Sequence, residues 1–344
     1  MKTKYIAIFA SLAATGLGMA QTAYTTPVGY VSLGDKTTGQ PAVKANTDVA
    51  ISIPLARPTE FAGVVLSTTA NTITVSGTPW TASPAVGSWN PGISSPYVVT
   101  IISGAANGFI GLVNSNTTTS LTVAAATGGS LLSIVPGDKF VISKAWTLSA
   151  LIPPTAIPTG TRFLIYNGIT SGSNLAPNTT VQSNGTAWRI GGTNSDNLPL
   201  YPGESFVLRS PAALAINTLV VSGEVSRAIS RTFIDKITSG VAQDTRMSYV
   251  GSGDEFIGTS GLNASLGLTS GDRVLFTNNN LAGINKAPSF IQWNGTQWRQ
   301  GATDVTNTFK FEAGVGYVFR RAAVTVPATG SIDWVDSPSY FPLP

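Results

Sequence analysis

Hydrophobic and polar residues alternate in short runs along most of the chain, and this pattern predicts β-strands. Residues 27–33 (Pro-Val-Gly-Tyr-Val-Ser-Leu) alternate as a strand does, and further apolar runs occupy residues 73–75, 97–102, 121–123 and 139–142. Short strands at a spacing of roughly 8–12 residues, separated by turn residues, are typical of antiparallel sandwiches and small barrels. We therefore expect an all-β fold made of antiparallel sandwich-like or barrel-like modules.

Residues 225–237 are the one segment whose pattern also suits a helix. Val225, Ile229, Phe233 and Ile237 recur every four residues, and such a spacing lines up one face of a helix. A pair of strands accounts for the segment almost equally well. The sequence leaves both descriptions open.

The chain contains one pattern twice. Residues 184–191 (Asn-Gly-Thr-Ala-Trp-Arg-Ile-Gly) return as residues 294–301 (Asn-Gly-Thr-Gln-Trp-Arg-Gln-Gly). Asn-Gly is a strong hairpin signal, because both residues tolerate positive φ. Three matched blocks in one order indicate an internal duplication of a β-module; the other two are residues 160–164 with 271–275, and residues 203–209 with 314–320.

The repeat divides the chain into segments. Residues 152–158, which hold three prolines, are the best candidate for a linker, because proline cannot continue a β-ladder. A weaker likeness pairs Phe61-Ala62-Gly63 with Phe256-Ile257-Gly258, which suggests a two-unit array whose first unit carries an insertion after Gly63. The segments we expect are a signal peptide (1–20), a charge-poor β domain (21–150), repeat copy 1 (151–224), a connecting segment (225–270) and repeat copy 2 (271–344).

The N-terminus has the features of an export signal. Lys2 and Lys4 precede an apolar stretch over residues 5–17, and Gly18-Met19-Ala20 supplies the small residues of a cleavage site. The apolar stretch is shorter than the roughly 20 residues that a transmembrane helix needs, and no later segment of the sequence approaches that length. We expect an exported protein of the extracellular space, the cell surface or the outer envelope, without a transmembrane helix.

Composition narrows the chemistry. The chain has no His and no Cys, which excludes histidine bases, thiol nucleophiles, disulfides and the usual zinc ligands. Charged residues make up 10%, well below the roughly 25% of ordinary domains, and Lys and Arg form no cluster of the kind that nucleic-acid binding needs. We expect no cofactor, no metal and no nucleic-acid partner.

The repeated Trp-Arg pair is open to two interpretations. In the first, Trp188 and Trp298 fill the two module cores while Arg189 and Arg299 lie outside, capping carbonyls or pairing with acids. In the second, these residues form a sugar-binding platform. Trp293 is a better candidate for an exposed aromatic ring, and Trp80, Trp89 and Trp334 lie among turn residues. The residues that we single out for ligand binding are Trp293, Trp334, Arg189 and Arg299.

Two further sets of residues carry charge. Arg162, Arg209, Arg273 and Arg320 recur at equivalent places, where they could pack against strands and bridge strand ends, or converge on a carboxylate or a sulfate. Carboxylate catalysis needs two acids about 5–10 Å apart, and only two groups of acids qualify. We assign no catalytic residue, because neighbouring acids in loops are usually solvated; the two groups are Asp254, Glu255 and Asp272, and Asp333 with Asp336.

With these motifs described, the chain resembles a family of exported bacterial proteins of the verrucomicrobial type whose function is unknown. The likeness is carried by Pro-Val-Gly-Tyr-Val at residues 27–31, by residues 53–63, by residues 283–299, and by the stretch from Gly316 to Trp334. The resemblance implies export and a cell-envelope setting. It implies no catalytic or binding residue.

Together these features favour an exported, non-enzymatic protein of the cell surface or envelope with a structural or adhesive role. Its partners would be further copies of itself or other envelope components. One alternative is a carbohydrate-binding module protein that takes glycans on exposed aromatic rings. Another is an outer-membrane β-barrel, since the chain is long enough for many alternating strands.

Overall fold

The computed structural model describes residues 27–83, 89, 96–125, 133–166, 171–226, 229–235, 240–323 and 332–337. The expected signal peptide (1–20) and residues 338–344 lie outside the described residues. The described part is almost entirely β, with antiparallel sheets consistent with an all-β sandwich, as the alternating pattern predicts. Three hydrophobic cores divide it into a first unit (27–57 and 145–226), an insert (58–144) and a second unit (229–337).

The first unit is built around a six-stranded antiparallel sheet of order β14-β13-β12-β11-β16-β2, with two strand pairs, β1-β17 and β10-β15. A short helix, α1 (Leu148–Leu151), and a 3-10 turn (Pro154–Ala156) follow β10. The strands are β1 (Val28–Ser32), β2 (Asp48–Ser52), β10 (Trp146–Thr147), β11 (Arg162–Ile165), β12 (Thr179–Ser183), β13 (Trp188–Ile190), β14 (Thr193–Asn194), β15 (Pro199–Leu200), β16 (Ser205–Arg209) and β17 (Val220–Glu224).

The insert is a single seven-stranded antiparallel sheet of order β3-β9-β6-β7-β8-β5-β4 with its own core. It leaves the first unit after β2 and returns to it at β10. Its strands are β3 (Thr59–Val64), β4 (Ser67–Thr68), β5 (Thr72–Thr74), β6 (Tyr97–Ile101), β7 (Ile110–Asn116), β8 (Ser120–Ala125) and β9 (Lys139–Lys144).

The second unit has the same strand order as the first, β24-β23-β22-β21-β26-β19, with the pairs β18-β27 and β20-β25. A 3-10 turn (Ala264–Leu266) occupies the place that α1 and the Pro154–Ala156 turn take in the first unit. The strands are β18 (Ser230–Ile234), β19 (Gln243–Ser248), β20 (Glu255–Phe256), β21 (Arg273–Phe276), β22 (Ser289–Trp293), β23 (Trp298–Gln300), β24 (Thr303–Asp304), β25 (Lys310–Phe311), β26 (Gly316–Arg321) and β27 (Ile332–Asp336).

These pairings divide the chain differently from the segments expected above. Strands β1 and β2 pair with β17 and β16, so residues 27–57 belong to the first unit and not to the charge-poor domain. Likewise the expected connecting segment carries β18, β19 and β20, which belong to the sheets of the second unit. Local alternation marks strands, but it does not say which distant strand each one will pair with.

Two smaller expectations need correction for the same reason. Residues 152–158 are no free linker, since Ile152 and Ile157 are buried in the first core and the Ile152 carbonyl accepts a hydrogen bond from Trp188. Phe61 is not the counterpart of Phe256. Phe61 lies in β3 of the insert, whereas Phe256 lies in β20, whose place in the first unit is taken by β10.

The segment with the four-residue period contains a strand rather than a helix. In β18, Thr232 and Ile234 are buried, and the strand pairs with β27 over its whole length. Residues 227, 228, 236 and 237 lie outside the described part. Pairing with β27 buries an alternating face, and this tertiary contact overrides the weak helical period.

The two units hold each other through loops. In the first unit, β2 is an edge strand whose outer backbone groups bond to the second unit. The Asp48 N–H donates to the Gly283 carbonyl, and the Ser52 N–H donates to the Gly314 carbonyl. Between them, the backbone N–H and carbonyl of Ala50 both bond to the Asn279 side-chain amide. An unpaired strand edge would otherwise invite aggregation. The second unit's β19 is held by the first unit in the same way, because its Asp244 and Ser248 N–H groups donate to the carbonyls of Gly172 and Gly203.

Candidate functional site

The repeated tryptophans occupy the centres of the two unit cores. Trp188 and Trp298 are both fully buried, and each indole N–H donates to a backbone carbonyl, Ile152 for Trp188 and Leu262 for Trp298, at 2.8 Å. A buried indole needs such a partner. The first interpretation of the repeated Trp is therefore confirmed.

The repeated arginines cap the hairpins that follow them. Arg189 donates from Nη1 to the Gly192 carbonyl at 2.8 Å, and Arg299 donates from Nη2 to the Ala302 carbonyl. Both side chains are half-buried. Each closes the tight turn between its own strand and the next, as the carbonyl-capping interpretation expected, and neither is aimed at a cleft.

The expectation that Trp293 and Trp334 are exposed is wrong. Trp293 is 4% exposed and Trp334 is 2% exposed. Trp293 packs against Trp298 with ring centroids 5.6 Å apart, and Trp334 packs against Phe311 at 5.5 Å. Trp293 alternates with Ile291 along β22, and both face the core. The alternation thus placed Trp293 on the buried face of its strand.

The insert holds the other two tryptophans that lie among turn residues. Trp80 is buried and Trp89 is half-buried. Together with Phe61 and Tyr97 they form a chain of edge-to-face contacts, with centroids 5.1–6.2 Å apart. The described part of the insert therefore uses its tryptophans as core rather than as open platforms.

The first candidate acid group does not converge on one point. Asp254 Oδ1 accepts a bond from the Ala313 N–H, and Glu255 accepts one from the Thr259 hydroxyl. Asp272, fully buried, accepts from the N–H groups of Thr269 and Ala322 and pairs with Arg321 at 3.3 Å. These carboxylates accept hydrogen bonds from residues in turns and at strand ends.

The second group is split between two environments. Asp333 pairs with Arg231 at 2.5 Å. Asp336 is buried, and burial together with the nearby charge of Glu255 raises its pKa to about 7. Glu255 is itself only 2% exposed, so the structure brings together one acid from each candidate group. Both acids lie beneath the surface of the second unit.

Two of the four recurring arginines form matching ion pairs, one within each unit, that join neighbouring strands of the same sheet. Arg209 holds Asp48 through two bonds of 2.6 and 2.8 Å, and Arg320 holds Asp244 through two bonds of the same lengths. Arg273 instead stacks on Phe290 and bonds to Gln292, and Arg162 is exposed. The strand-bridging interpretation is confirmed for Arg209 and Arg320.

Each ion pair is completed by an asparagine from the opposite unit. The Asn285 amide N–H donates to Asp48 Oδ2, and its side-chain oxygen accepts from Arg209. The Asn174 N–H donates to Asp244 Oδ2 in the same way, and its side-chain oxygen accepts from Arg320. Both asparagines have positive φ, 49° and 56°, a conformation that Asn tolerates better than most residues.

Sequence reasoning did not find these asparagines, although a signal was present. Gly172-Ser173-Asn174 lies between β11 and β12, and Gly283-Ile284-Asn285 lies at the same place between β21 and β22. A glycine two residues before an asparagine, repeated at equivalent positions, is typical of a specific turn. The sequence did not indicate that each of these turns contacts the opposite unit.

A cavity of about 400 Å³ lies between the two units, beside these ion pairs. Asp48, Asp244, Asn174, Asn285 and Arg320 line it, together with two cations that the sequence analysis did not single out, Arg246 and Lys286. Burial lowers the pKa of both Arg246 and Lys286. Residues of both units therefore line one polar cavity.

Comparison with known protein families, with characterised proteins and with solved structures found no match. Among the described residues, no helix is long and apolar enough to cross a membrane. Within the same residues, no cluster of three or more acidic side chains has the arrangement of a metal site.

Proposed function

We propose that this protein is exported and acts without catalysis at the cell surface or outer envelope, in a structural or adhesive role. The observation that carries the proposal is an exposed face on the β1-β17 ribbon of the first unit, where three apolar side chains alternate with Ser32, Ser222 and Glu224. Val28 and Tyr30 of β1 are 78% and 79% exposed, and Val220 of β17 is 49% exposed. Cross-strand register places all three on one face, because Tyr30 lies opposite Ser222 and Ser32 lies opposite Val220.

The matching face of the second unit shows what this surface is suited to. On β18, Arg231 and Phe233 lie where Val28 and Tyr30 lie on β1. There the face is covered by the insert, since the Arg231 guanidinium donates to the carbonyls of Ala105 and Asn107. The fold therefore uses this face as a contact surface once, and among the described residues nothing covers its counterpart on β1 and β17.

We assign the uncovered face to a second copy of this chain. The insert exposes its own apolar group, Val64, Leu66 and Val135, which flank the buried Val65. A contact between the ribbon of one copy and the insert of the next joins two different surfaces. Such a contact builds rings or open filaments rather than closed dimers, as a structural envelope component requires.

The candidate acids support a role without catalysis. Asp254, Asp272 and Asp333 each hold a backbone group or an arginine, and Glu255 and Asp336 are buried. The tryptophans give no support to the alternative of glycan binding on exposed aromatic rings. The resemblance to exported verrucomicrobial-type proteins agrees with an envelope setting and stays a prediction.

The test is assembly of the chain from residue 21 onwards, by sedimentation velocity and negative-stain electron microscopy over a range of concentrations. We expect concentration-dependent rings or filaments, and we expect the double variant Val28→Ser, Tyr30→Ser to remain monomeric. Leu281→Ser is the matched control, because Leu281 is 58% exposed and lies in the loop between β21 and β22, outside the ribbon. Dispersed monomers of the unsubstituted protein at all concentrations would contradict the proposal.

A further inference from the structure

Arg246 is a cation that the fold holds in place but does not neutralise. Its guanidinium lies 3.9 Å from the centroid of the Tyr166 ring, a close stacking contact across the boundary between the units. Within the described part of the chain it makes no ion pair and no hydrogen bond through its side chain. Burial lowers its pKa, with the charge of Asp244 acting in the opposite direction.

The neighbouring acids are already engaged by other groups. Both oxygens of Asp244 accept bonds from Arg320, and Oδ2 also accepts the Asn174 N–H. Asp48 is engaged by Arg209 and Asn285 in the same way. Among the described residues, two cations of the cavity, Arg246 and Lys286, have no carboxylate in an ion pair with them. Lys286 donates to the carbonyls of Asn278 and Leu281.

The position of Arg246 is not required by the strand itself. Arg246 is a residue of β19 and lies opposite Val318 of β26. At the same place in the first unit, Ala50 of β2 lies opposite Val207 of β16. The first unit therefore shows that alanine suits this strand position. An arginine that is desolvated without a fixed counter-ion costs free energy, and an anion bound in the cavity would offset that cost.

We propose that the cavity between the units binds a small hydroxylated carboxylate, of the class of uronic acid sugars, through Arg246. The Tyr166 ring holds the guanidinium plane, so its N–H groups can meet a carboxylate with two parallel bonds, which Arg favours over Lys. The volume of about 400 Å³ falls in the range of small-molecule sites. Asn174 and Asn285 line the same cavity; their side-chain oxygens accept from Arg320 and Arg209, and their amide NH2 groups can donate to hydroxyls.

Access to the cavity is open. Ala287 and Pro288, which line it, are exposed, and so are Asn174 and Asn178. The site goes beyond the structural role proposed above and works equally in a monomer. Its test can therefore fail or succeed independently of assembly.

The test is isothermal titration calorimetry of the full chain with galacturonate and glucuronate, and with glucose and sulfate as comparison ligands. We expect a uronate to bind, and glucose and sulfate to bind at least about tenfold more weakly. Glucose loses the two-bond contact to the guanidinium, whereas sulfate keeps that contact but has no hydroxyls for the asparagine amides. Arg246→Ala should reduce uronate affinity by about tenfold or more. Arg162→Ala, at an exposed arginine outside the cavity, should leave it unchanged.

Two further variants keep the outcome decisive if Arg246→Ala disturbs folding, which circular dichroism would show. Arg246→Lys keeps the charge but loses the planar fork, and Tyr166→Leu removes the surface that holds it; both should weaken uronate binding. Equal uronate affinity in folded Arg246 variants would overturn the proposal. So would equal affinity for glucose or for sulfate, or the absence of uronate binding by the unsubstituted chain.

Discussion

Replacing Asp336 by Asn should stabilise the protein at neutral pH and change its stability little at pH 4. Asp336 is 2% exposed, and its Oδ2 has no hydrogen-bond partner among the described residues. Glu255, also buried, lies close enough for its charge to disfavour a second charge. The native protein therefore holds the Asp336 carboxyl in its neutral form, which Asn imitates in size and polarity.

The size of the effect follows from the pKa. Burial and Glu255 raise the pKa of Asp336 from 3.8 to about 7. At about 1.36 kcal/mol for each pKa unit, a shift of this size corresponds to roughly 4 kcal/mol. That is a large fraction of the 5–15 kcal/mol by which folded proteins are usually stable.

The direction of the pH dependence follows from proton linkage. Between pH 4 and pH 7 the folded protein keeps a proton on Asp336 that the unfolded chain has released. Raising the pH across this window therefore favours the unfolded chain, and the loss is complete above the folded pKa. Burial also raises the pKa of Glu204 to about 8, but that contribution is common to the parent and the variant and cancels in their difference.

The assay is urea denaturation of the parent protein and Asp336→Asn at each pH unit from 4 to 8, followed by tryptophan fluorescence. The difference in unfolding free energy should grow in favour of the variant as pH rises, towards about 4 kcal/mol. Asp304→Asn is the control without a pH trend: hydrogen bonds from Thr306 lower the pKa of the exposed Asp304 from 3.8, so its contribution is already present near pH 4 and the difference between parent and variant should stay nearly constant up to pH 8. For Asp336→Asn, a difference that is constant from pH 4 to 8, or that favours the parent at high pH, would refute the reasoning.

Three further substitutions test the packing and the contacts between the units. Trp298→Ala should lower the free energy of unfolding by about 3–5 kcal/mol, measured by urea denaturation and circular dichroism, because the ring is fully buried; a loss below 1 kcal/mol would contradict its place in the core. Asp244→Asn should lower the free energy of unfolding by about 1.5–3 kcal/mol, because it leaves Arg320 without its carboxylate. The drop in melting temperature should be smaller in high salt, and an unchanged melting temperature would count against the pairing. Gly314→Ala should destabilise more than Gly301→Ala, since both have positive φ but only at Gly314 would the new methyl meet neighbouring atoms; equal melting temperatures would show that the space is available.

The candidate site divides between what local patterns can show and what they cannot. The Trp-Arg hairpins follow from Asn-Gly turns and strand alternation, and both tryptophans are buried as expected. The prediction that Trp293 and Trp334 are exposed was wrong, because neither the alternation of Trp293 with Ile291 nor the turn residues around Trp334 say what packs over a ring in space. Arg246 carries no motif at all, and it becomes a candidate only because Tyr166 of the other unit lies beneath it.

The sequence by itself determined the β character of the chain, its short hairpins, and the exclusion of histidine and cysteine chemistry. These depend on residue type and on contacts between near neighbours, which alternation and turn residues encode directly. Only the tertiary structure decided that β2 pairs with β16 across the insert, that Asn174 and Asn285 complete ion pairs of the opposite unit, and that Glu255 lies near Asp336. Those contacts join residues far apart in the chain, and they depend on how whole sheets pack, for which no local pattern is a guide.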